Sequence, residues 1–173
     1  KFAHAFASPI KRARITAEET LALLDEKPEL TFMDGLKEFS FGVWEGKTFA
    51  DVQAGWYDMY DASRNHPEKF DAAQVPGAES FESVQARFRQ AVETAVTEYG
   101  GEGVNLVFFS HGAALTTGMG GLTGIPLADL RARGGLGNTS TSIVETADGK
   151  TFTELSRNDT SYLGVSSDAS NTI

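Results

Sequence analysis

The sequence contains no cysteine, which excludes disulfide bonds and thiolate metal sites. No apolar run approaches the roughly 18 residues that a membrane-spanning helix needs. Basic residues are also scarce: 15 Lys and Arg stand against 24 Asp and Glu, which gives a formal net charge of −9. A general nucleic-acid-binding protein shows a basic face. We therefore expect neither nucleic acid nor a membrane as a partner.

The residues that are present predict one globular domain over residues 1–173. The chain is 40% hydrophobic and 23% charged, and its length of 173 residues is enough to bury a substantial core. We predict a cytoplasmic protein because no targeting signal is recognisable. The chain opens without methionine inside a strand-like run, so a targeting signal that has been removed is compatible with this prediction. The sequence does not indicate an oligomeric state.

Strand-like and helix-like segments alternate along the chain. The patterns predict strands at 2–7, 30–34, 105–109, 139–146 and 151–156. They predict helices at 9–26, 80–99 and 113–122, with short aromatic helices at about 49–63 and a polar surface loop at 64–79. This order predicts an α/β fold, with a mostly parallel sheet flanked by helices and a helical and loop insertion at about 47–79.

The inserted segment is rich in aromatic side chains, namely Trp56, Tyr57, Tyr60 and Phe70. Two roles fit this composition. The aromatic rings either pack a helical subdomain onto the core or line an apolar wall of a substrate pocket, and we favour packing.

His111 follows the strand predicted at 105–109, where the sequence continues through Gly112 into a new apolar segment. In open α/β sheets, ligands bind at the carboxyl ends of strands. Gly112 permits close approach of the backbone, and the N–H groups of a helix N-terminus favour an anion. A phosphate site is one interpretation. A histidine that caps a helix or is hydrogen-bonded in the core is the other, and this segment alone leaves both open.

A second junction between strand and helix carries three cations. Ser8 followed by Pro9 predicts the start of a helix, with Ser8 as its N-cap. Lys11, Arg12 and Arg14 then fall in the first turn, where the helix dipole disfavours positive charge by about 0.3–1 kcal/mol each. A bound anion would offset that cost, and an arginine holds phosphate with two hydrogen bonds. We assign this role to Arg12 and predict that Lys11 and Arg14 are solvated.

Glu38 lies just after the second predicted strand, in a loop that is dense with aromatic residues. Apolar surroundings raise the pKa of a carboxyl group, which then has a proton to deliver to a leaving oxygen. The alternative is an exposed loop glutamate without a catalytic role.

Taken together and in this order, the segments resemble the histidine phosphatase superfamily, the phosphoglycerate mutase-like enzymes. The resemblance rests on five motifs: SPIKRARITAEE (8–19), LKEFSFGVWEG (36–46), PGAES (76–80), FSHG (109–112) and GNTSTSIVE (137–145). Each motif is weak alone, but the five in the family's order cover nearly the whole chain.

The resemblance implies transfer of phosphate through a phosphohistidine, without a metal or other cofactor. It places Arg12 and His111 on the phosphate and Glu38 as the proton donor, and it adds Gly112, Asn138 and Thr139 as phosphate-binding residues. We predict a phosphatase that acts on a small phosphomonoester. The alternatives are a phosphoglycerate mutase-type phosphotransferase or a non-catalytic member that binds a phosphorylated ligand. The short segment between Trp44 and Pro76 favours the phosphatase.

The sequence departs from the family in one respect. The nucleophilic histidine of the family lies in an Arg-His-Gly motif on its first strand, and the 173 residues contain no such motif. His4 lies inside a predicted strand and His66 in a polar loop, so we assign neither residue as the nucleophile. We expect an N-terminal segment with that motif, whose strand belongs near the middle of the sheet. Without that strand, a row of backbone groups stays unpaired.

Overall fold

Three parallel strands form the centre of the computed structural model, which describes residues 1–164. They are β1 (His4–Ala7), β2 (Leu30–Phe32) and β3 (Leu106–Phe109). Their order is β2-β1-β3, so β1 is central, and all four of its residues are buried. The last residue of β1, Ala7, pairs with Phe32 on one side and with Phe109 on the other. The three carboxyl ends therefore lie at the same edge.

The last two strands form a separate antiparallel sheet. They are β4 (Thr141–Glu145) and β5 (Thr153–Asp159). Within residues 1–164, β3 pairs only with β1 and β4 only with β5. The prediction of an α/β fold is confirmed, and the parallel sheet consists of the first three strands of the chain. Our expectation of a further strand near the middle of the sheet stays a prediction.

Five α-helices surround these sheets in the described part of the chain. They are α1 (Lys11–Ala22), α2 (Phe49–Gly55), α3 (Tyr57–Asn65), α4 (Phe81–Tyr99) and α5 (Gly112–Leu122). Short 3₁₀ turns occupy much of the remaining chain, at Asp34–Leu36, Gly42–Trp44, Pro67–Lys69, Ala72–Gln74, Leu127–Asp129, Arg131–Arg133 and Ser161–Leu163. Across residues 1–164, none of the helices combines the length and the apolar character needed to cross a membrane.

The predicted start of α1 is wrong. The helix begins at Lys11 with Ile10 as its N-cap, not with Ser8. The reason is that Ser8 still belongs to the sheet: its N–H donates to the carbonyl of Phe109 at 2.9 Å. Its hydroxyl accepts a hydrogen bond from the Ile10 N–H at 3.2 Å and lies close to His111. Ser8 therefore connects the strand edge to the functional side chain.

α4 confirms its prediction closely and packs tightly on α5. Ser80 is the N-cap, and its hydroxyl accepts from the N–H of Ser83 at 3.1 Å. Its apolar stripe, which consists of Phe81, Val84, Phe88, Ala91, Val92 and Ala95, is buried. A Cβ atom at Gly118 of α5 would lie 2.2 Å from the Phe88 ring of α4. A Cβ atom at Gly121 would likewise lie 2.8 Å from the Gln85 side chain of α4. The close approach of the two helices thus explains Gly118 and Gly121.

Two clusters of buried side chains stabilise the fold. The sheet core lies between α4, α5 and the sheets and contains Phe6, Leu36, Phe88, Ala91, Val92, Ala95, Leu122 and Phe152. The aromatic core lies towards α2 and α3 and contains Phe39, Trp44, Val52, Ala62, Phe70, Val75, Phe81, Val84, Ala113 and Leu130.

The predicted polar surface loop at 64–79 is therefore partly wrong. Pro67, Phe70 and Val75 are buried, and the side chains of Phe70 and Val75 belong to the aromatic core. Trp56 and Tyr60 also pack against this core, whereas Tyr57 is exposed. Packing, rather than a substrate wall, accounts for three of the four aromatic residues singled out in the sequence.

Candidate functional site

The site lies where β1 and β3 end side by side. His111 directly follows the loop residue Ser110, and it is the N-cap of α5. The hydroxyl of Ser110 donates to the carbonyl of Leu36 at 2.7 Å, which fixes this corner against the Asp34–Leu36 turn. Because β1 and β3 are parallel and in register, Ser8 and His111 come to the same edge. The Nε2 atom of His111 lies 2.8 Å from the Ser8 hydroxyl oxygen.

His111 is a neutral imidazole in this environment. The residue is only 5% exposed. Burial lowers the pKa of His111 from 6.5 to about 4, and the positive charges of Arg12 and Arg87 contribute. At neutral pH the ring therefore offers one hydrogen-bond donor and one acceptor instead of a positive charge.

Arg12 supplies the positive charge at the open side of the site. It lies in the first turn of α1, and 65% of its side chain is exposed. Its Nη2 atom is 3.8 Å from the Oε2 atom of Glu38. The neighbouring cations differ from it: Arg14 pairs with Glu18 at 4.0 Å on the outer surface, and Lys11 is exposed. Arg12 thus differs from Arg14 in lying beside Glu38, and its assigned role on a phosphate stays a prediction.

Glu38 reaches across from the loop after β2 to the start of α5. Its Oε1 atom accepts hydrogen bonds from the N–H groups of Phe39 at 2.8 Å and of Ala114 at 2.9 Å. Only 18% of its side chain is exposed, so it is not a solvated loop residue. With Oε1 held by two amides, Oε2 is the oxygen that faces Arg12.

The sequence reasoning missed Arg87 of α4, which orders the Glu38 loop. Its Nη1 atom donates to the carbonyls of Gly35 at 2.9 Å and Lys37 at 2.8 Å, and its Nη2 atom donates to the carbonyl of Glu38 at 3.0 Å. Its remaining hydrogen bonds go to the carboxylate of Glu79. These contacts use all five N–H donors of a guanidinium. Arg87 therefore acts through the loop and keeps no donor for a ligand.

Glu79 completes this framework. Burial opposes its ionised form, but hydrogen bonds from Arg87 and from the Ser40 N–H outweigh that effect and lower the pKa of Glu79. A sequence signal for Arg87 does exist. It lies three residues after Val84 and four before Ala91, so it is a cation on the apolar stripe of α4. A buried charge of this kind normally has a specific partner.

The other predicted phosphate-binding residues divide into two groups. Gly112 is the first residue of α5, beside His111, and a Cβ atom there would meet nothing within 4 Å, so the space next to it is open. Asn138 and Thr139 lie in the turn before β4. The carbonyl of Thr139 accepts from the Tyr162 hydroxyl. Within residues 1–164, the hydrogen bonds found for Asn138 and Thr139 join these two residues to each other and Thr139 to Tyr162, and none reaches His111, Arg12 or Glu38.

The remaining two histidines lie elsewhere. His4 is buried in β1, where its Nε2 atom is 2.8 Å from the Thr31 hydroxyl and its ring packs on Tyr99. His66 is about half exposed, beside Glu68. Residues 1–164 contain no cluster of three or more histidine and carboxylate side chains that would hold a metal ion.

The site thus combines features that suit an anion. A neutral histidine, an exposed arginine and the N-terminus of an eleven-residue helix meet at one strand edge. A carboxylate with one outward oxygen lies next to them. The helix N-terminus and the guanidinium both attract a phosphate, and the carboxylate stands where it can exchange a proton with an attached group.

Comparison with known proteins agrees with this chemistry. A family model described as the histidine phosphatase superfamily (branch 1) matches residues 1–160. The bifunctional protein Rv2228c of Mycobacterium tuberculosis is 32% identical over 114 residues, which are 61% of this chain and 27% of that protein. The chain therefore spans about a quarter of the length of this curated relative.

Solved structures show the same fold. YhfR of Bacillus stearothermophilus has a TM-score of 0.83 at 28% identity, covering 94% of this chain and 77% of that chain. The mycobacterial glucosyl-3-phosphoglycerate phosphatase Rv2419c, in complex with inorganic phosphate, has a TM-score of 0.74 at 26% identity, covering 92% and 78%. Because the family model covers most of the chain and these folds agree with it, the chain belongs to branch 1 of the histidine phosphatase superfamily.

Proposed function

We propose that the protein hydrolyses a small phosphomonoester through a phosphohistidine, with the nucleophilic histidine outside these 173 residues. The observation that carries the proposal is the convergence of His111, Arg12, the N-terminus of α5 and the outward oxygen of Glu38 at one strand edge. The similarity to a glucosyl-3-phosphoglycerate phosphatase supports a small phosphorylated substrate.

In the proposed first step, the nucleophile attacks phosphorus and the bond to the ester oxygen breaks. Arg12, His111 and the first N–H groups of α5, beginning at Gly112, hold the equatorial oxygens, whose negative charge grows in the transition state. Protonated Glu38 gives its proton from Oε2 to the departing alkoxide, which leaves as an alcohol.

In the proposed second step, water attacks the phosphohistidine. Glu38, now ionised, accepts a proton from that water, the phosphorus–nitrogen bond breaks and inorganic phosphate leaves. Glu38 has then regained the proton that it lost, so the cycle balances. A strand with the nucleophile has four edges to join within the described residues, because β2, β3, β4 and β5 each pair on one side only. We keep Asn138 and Thr139 as proposed phosphate contacts, because they immediately precede β4.

The test measures release of phosphate by a polypeptide that includes whatever its gene encodes on either side of these residues. We expect His111→Ala and Arg12→Ala each to lower kcat/KM by about 10²-fold or more. Arg14→Ala is the matched control, because Arg14 lies on the same helix and, within residues 1–164, pairs only with Glu18; it should keep nearly full activity. An acid-labile phosphoenzyme trapped during turnover would identify the phosphohistidine.

The alternatives have distinct outcomes. Transfer of phosphate between hydroxyls of a phosphoglycerate, with little free phosphate, would show a mutase. Binding of a phosphomonoester without turnover or phosphoenzyme would show a non-catalytic member. Undiminished hydrolysis in both the His111 and Arg12 variants would contradict the proposed site.

A further inference from the structure

The hydroxyl of Ser8 has a restricted choice of hydrogen bonds. Ser8 is completely buried. Its oxygen has two partners within residues 1–164: the Ile10 N–H at 3.2 Å and the Nε2 atom of His111 at 2.8 Å. The Ile10 N–H is only a donor, so the hydroxyl oxygen accepts that bond. The hydroxyl proton of Ser8 then needs an acceptor of its own.

The proton of the Ser8 hydroxyl has one acceptor within hydrogen-bonding distance in the described chain, which is Nε2 of His111. If Nε2 carried a proton, it would donate to Ser8 and leave the buried Ser8 proton without a partner. Such an unsatisfied buried donor is costly. If Nε2 is unprotonated, both groups are satisfied by one hydrogen bond from Ser8 to His111.

We infer that Ser8 is a positioning residue that fixes His111 as the tautomer with its proton on Nδ1. The assignment uses the geometry of both partners of Ser8 and the complete burial of its side chain. It goes beyond the proposed roles of Arg12, Glu38 and His111, since it places a proton on a named atom and gives the reason for it.

The tautomer determines what His111 presents to a ligand. Nδ1 forms no hydrogen bond within residues 1–164, so its N–H is available to a bound group. A phosphate oxygen accepts hydrogen bonds, and a neutral ring binds it only through its protonated nitrogen. The opposite tautomer would turn a lone pair towards the anion. This use of the Nδ1 proton rests on the proposed function, whereas the tautomer itself does not.

Nitrogen-15 NMR of the imidazole rings tests the tautomer directly. The protein contains three histidines, so His66→Gln and His4→Gln identify the remaining signals by subtraction. At pH 7 we expect the His111 ring to show a protonated-type Nδ1 shift and an unprotonated-type Nε2 shift. A protonated Nε2 in the wild-type protein would overturn the inference.

Substitution of Ser8 tests its role in fixing the proton. Ser8→Ala removes the donor to Nε2, and we expect the Nδ1–H form to lose its dominance, so that the two nitrogen shifts move towards each other. Ser110→Ala is the matched control, because that neighbouring hydroxyl donates to Leu36 and not to the ring; it should leave the His111 shifts in place. Unchanged shifts in folded Ser8→Ala would remove Ser8 from this role.

Ser8→Cys provides the second variant where Ser8→Ala does not fold. A thiol is a weak donor, so we expect the same convergence of the two shifts to a smaller extent, and unchanged shifts would again contradict the role of Ser8.

Titration with inorganic phosphate then tests the proposed function separately from the tautomer. Movement of the Nδ1–H signal on addition of phosphate supports both the assigned tautomer and the contact of Nδ1–H with the anion. A fixed Nδ1 signal with the assigned tautomer would overturn the contact with the anion and leave the role of Ser8 established.

Discussion

Arg87 and Glu79 form a two-bonded ion pair, with 2.7 Å between Nε and Oε1 and 2.9 Å between Nη2 and Oε2. The pair is about three-quarters buried at both side chains. Through the three carbonyls that Arg87 also binds, it ties α4 to the loop that carries Glu38. The position of the proposed proton donor therefore depends on a residue that does not itself touch the ligand.

Arg87→Lys should be destabilising although it conserves the charge. An ammonium group cannot span both Glu79 oxygens and three carbonyls, so several buried acceptors lose their partners. We expect the free energy of unfolding to fall by about 1–3 kcal/mol, measured by urea denaturation. Arg14→Lys, at the exposed pair with Glu18, should change it by less than about 0.5 kcal/mol. Equal urea midpoints for Arg87→Lys and the wild type would contradict this role.

Glu38→Gln should lower the rate of hydrolysis, and the size of the loss should depend on the leaving group of the substrate. For an alkyl phosphate, whose alkoxide needs a proton, we expect kcat to fall by about 10²–10⁴-fold. For p-nitrophenyl phosphate, whose leaving group departs as a stable anion, the loss should be much smaller. Glu45→Gln is the control, because Glu45 accepts from the Ser40 hydroxyl at 2.9 Å in the same loop. Equal losses on both substrates would show that Glu38 is not the acid.

His111 should make the fold sensitive to acid. Its pKa is about 4 in the folded protein, against 6.5 as the ordinary value. Between these values the unfolded chain binds the proton more readily, so stability is greatest above pH 6.5 and falls as the pH drops towards 4. A pKa shift of this size changes the free energy of unfolding by at most about 3 kcal/mol.

The measurement compares the wild type with His111→Gln in urea denaturation across that pH range. We expect the wild type to lose more stability than the variant between pH 6.5 and pH 4. Parallel curves for the two proteins would mean that His111 titrates normally.

Gly118→Ala should destabilise the contact between α4 and α5. The added methyl group would lie 2.2 Å from a ring carbon of Phe88, and overpacking of this kind costs about 1–3 kcal/mol. Gly55→Ala is the matched control in α2, where an added Cβ meets nothing within 4 Å; it should leave stability unchanged or raise it by up to about 1 kcal/mol. The comparison uses the midpoint temperatures of thermal unfolding of the two variants. Equal midpoints for Gly118→Ala and Gly55→Ala would refute overpacking between α4 and α5.

The sequence predicted those parts of the fold that depend on local patterns. The helix predicted at 80–99 was readable, because the helical spacing of its apolar residues is a local pattern. The position of His111 was readable because a histidine that follows shortly after an apolar strand stands out. The start of α1 was not, since Ser8 makes its decisive contacts with Phe109 and His111, about a hundred residues away.

Arg87 illustrates the same limit within the site. Its position on the apolar stripe was visible in the sequence, but its five hydrogen bonds go to residues on two separate segments of chain, 35–38 and Glu79. Phe70 and Val75 likewise read as parts of a polar loop, because the hydrophobic neighbours that bury them come from distant residues. Long-range contacts decide such cases, and no local pattern records them.

The two tryptophans of the chain both belong to one region, which gives the protein a selective optical signal. Trp44 and Trp56 lie with ring centroids 6.5 Å apart, in and against the aromatic core. Tryptophan emission therefore follows the region around the proposed insertion at 47–79, whereas the ring signals of His4 and Tyr99 follow the sheet side. If the proposed single domain unfolds cooperatively, both signals change at the same denaturant concentration. An insertion that melts first would separate them, so one titration reports on two halves of the molecule at once.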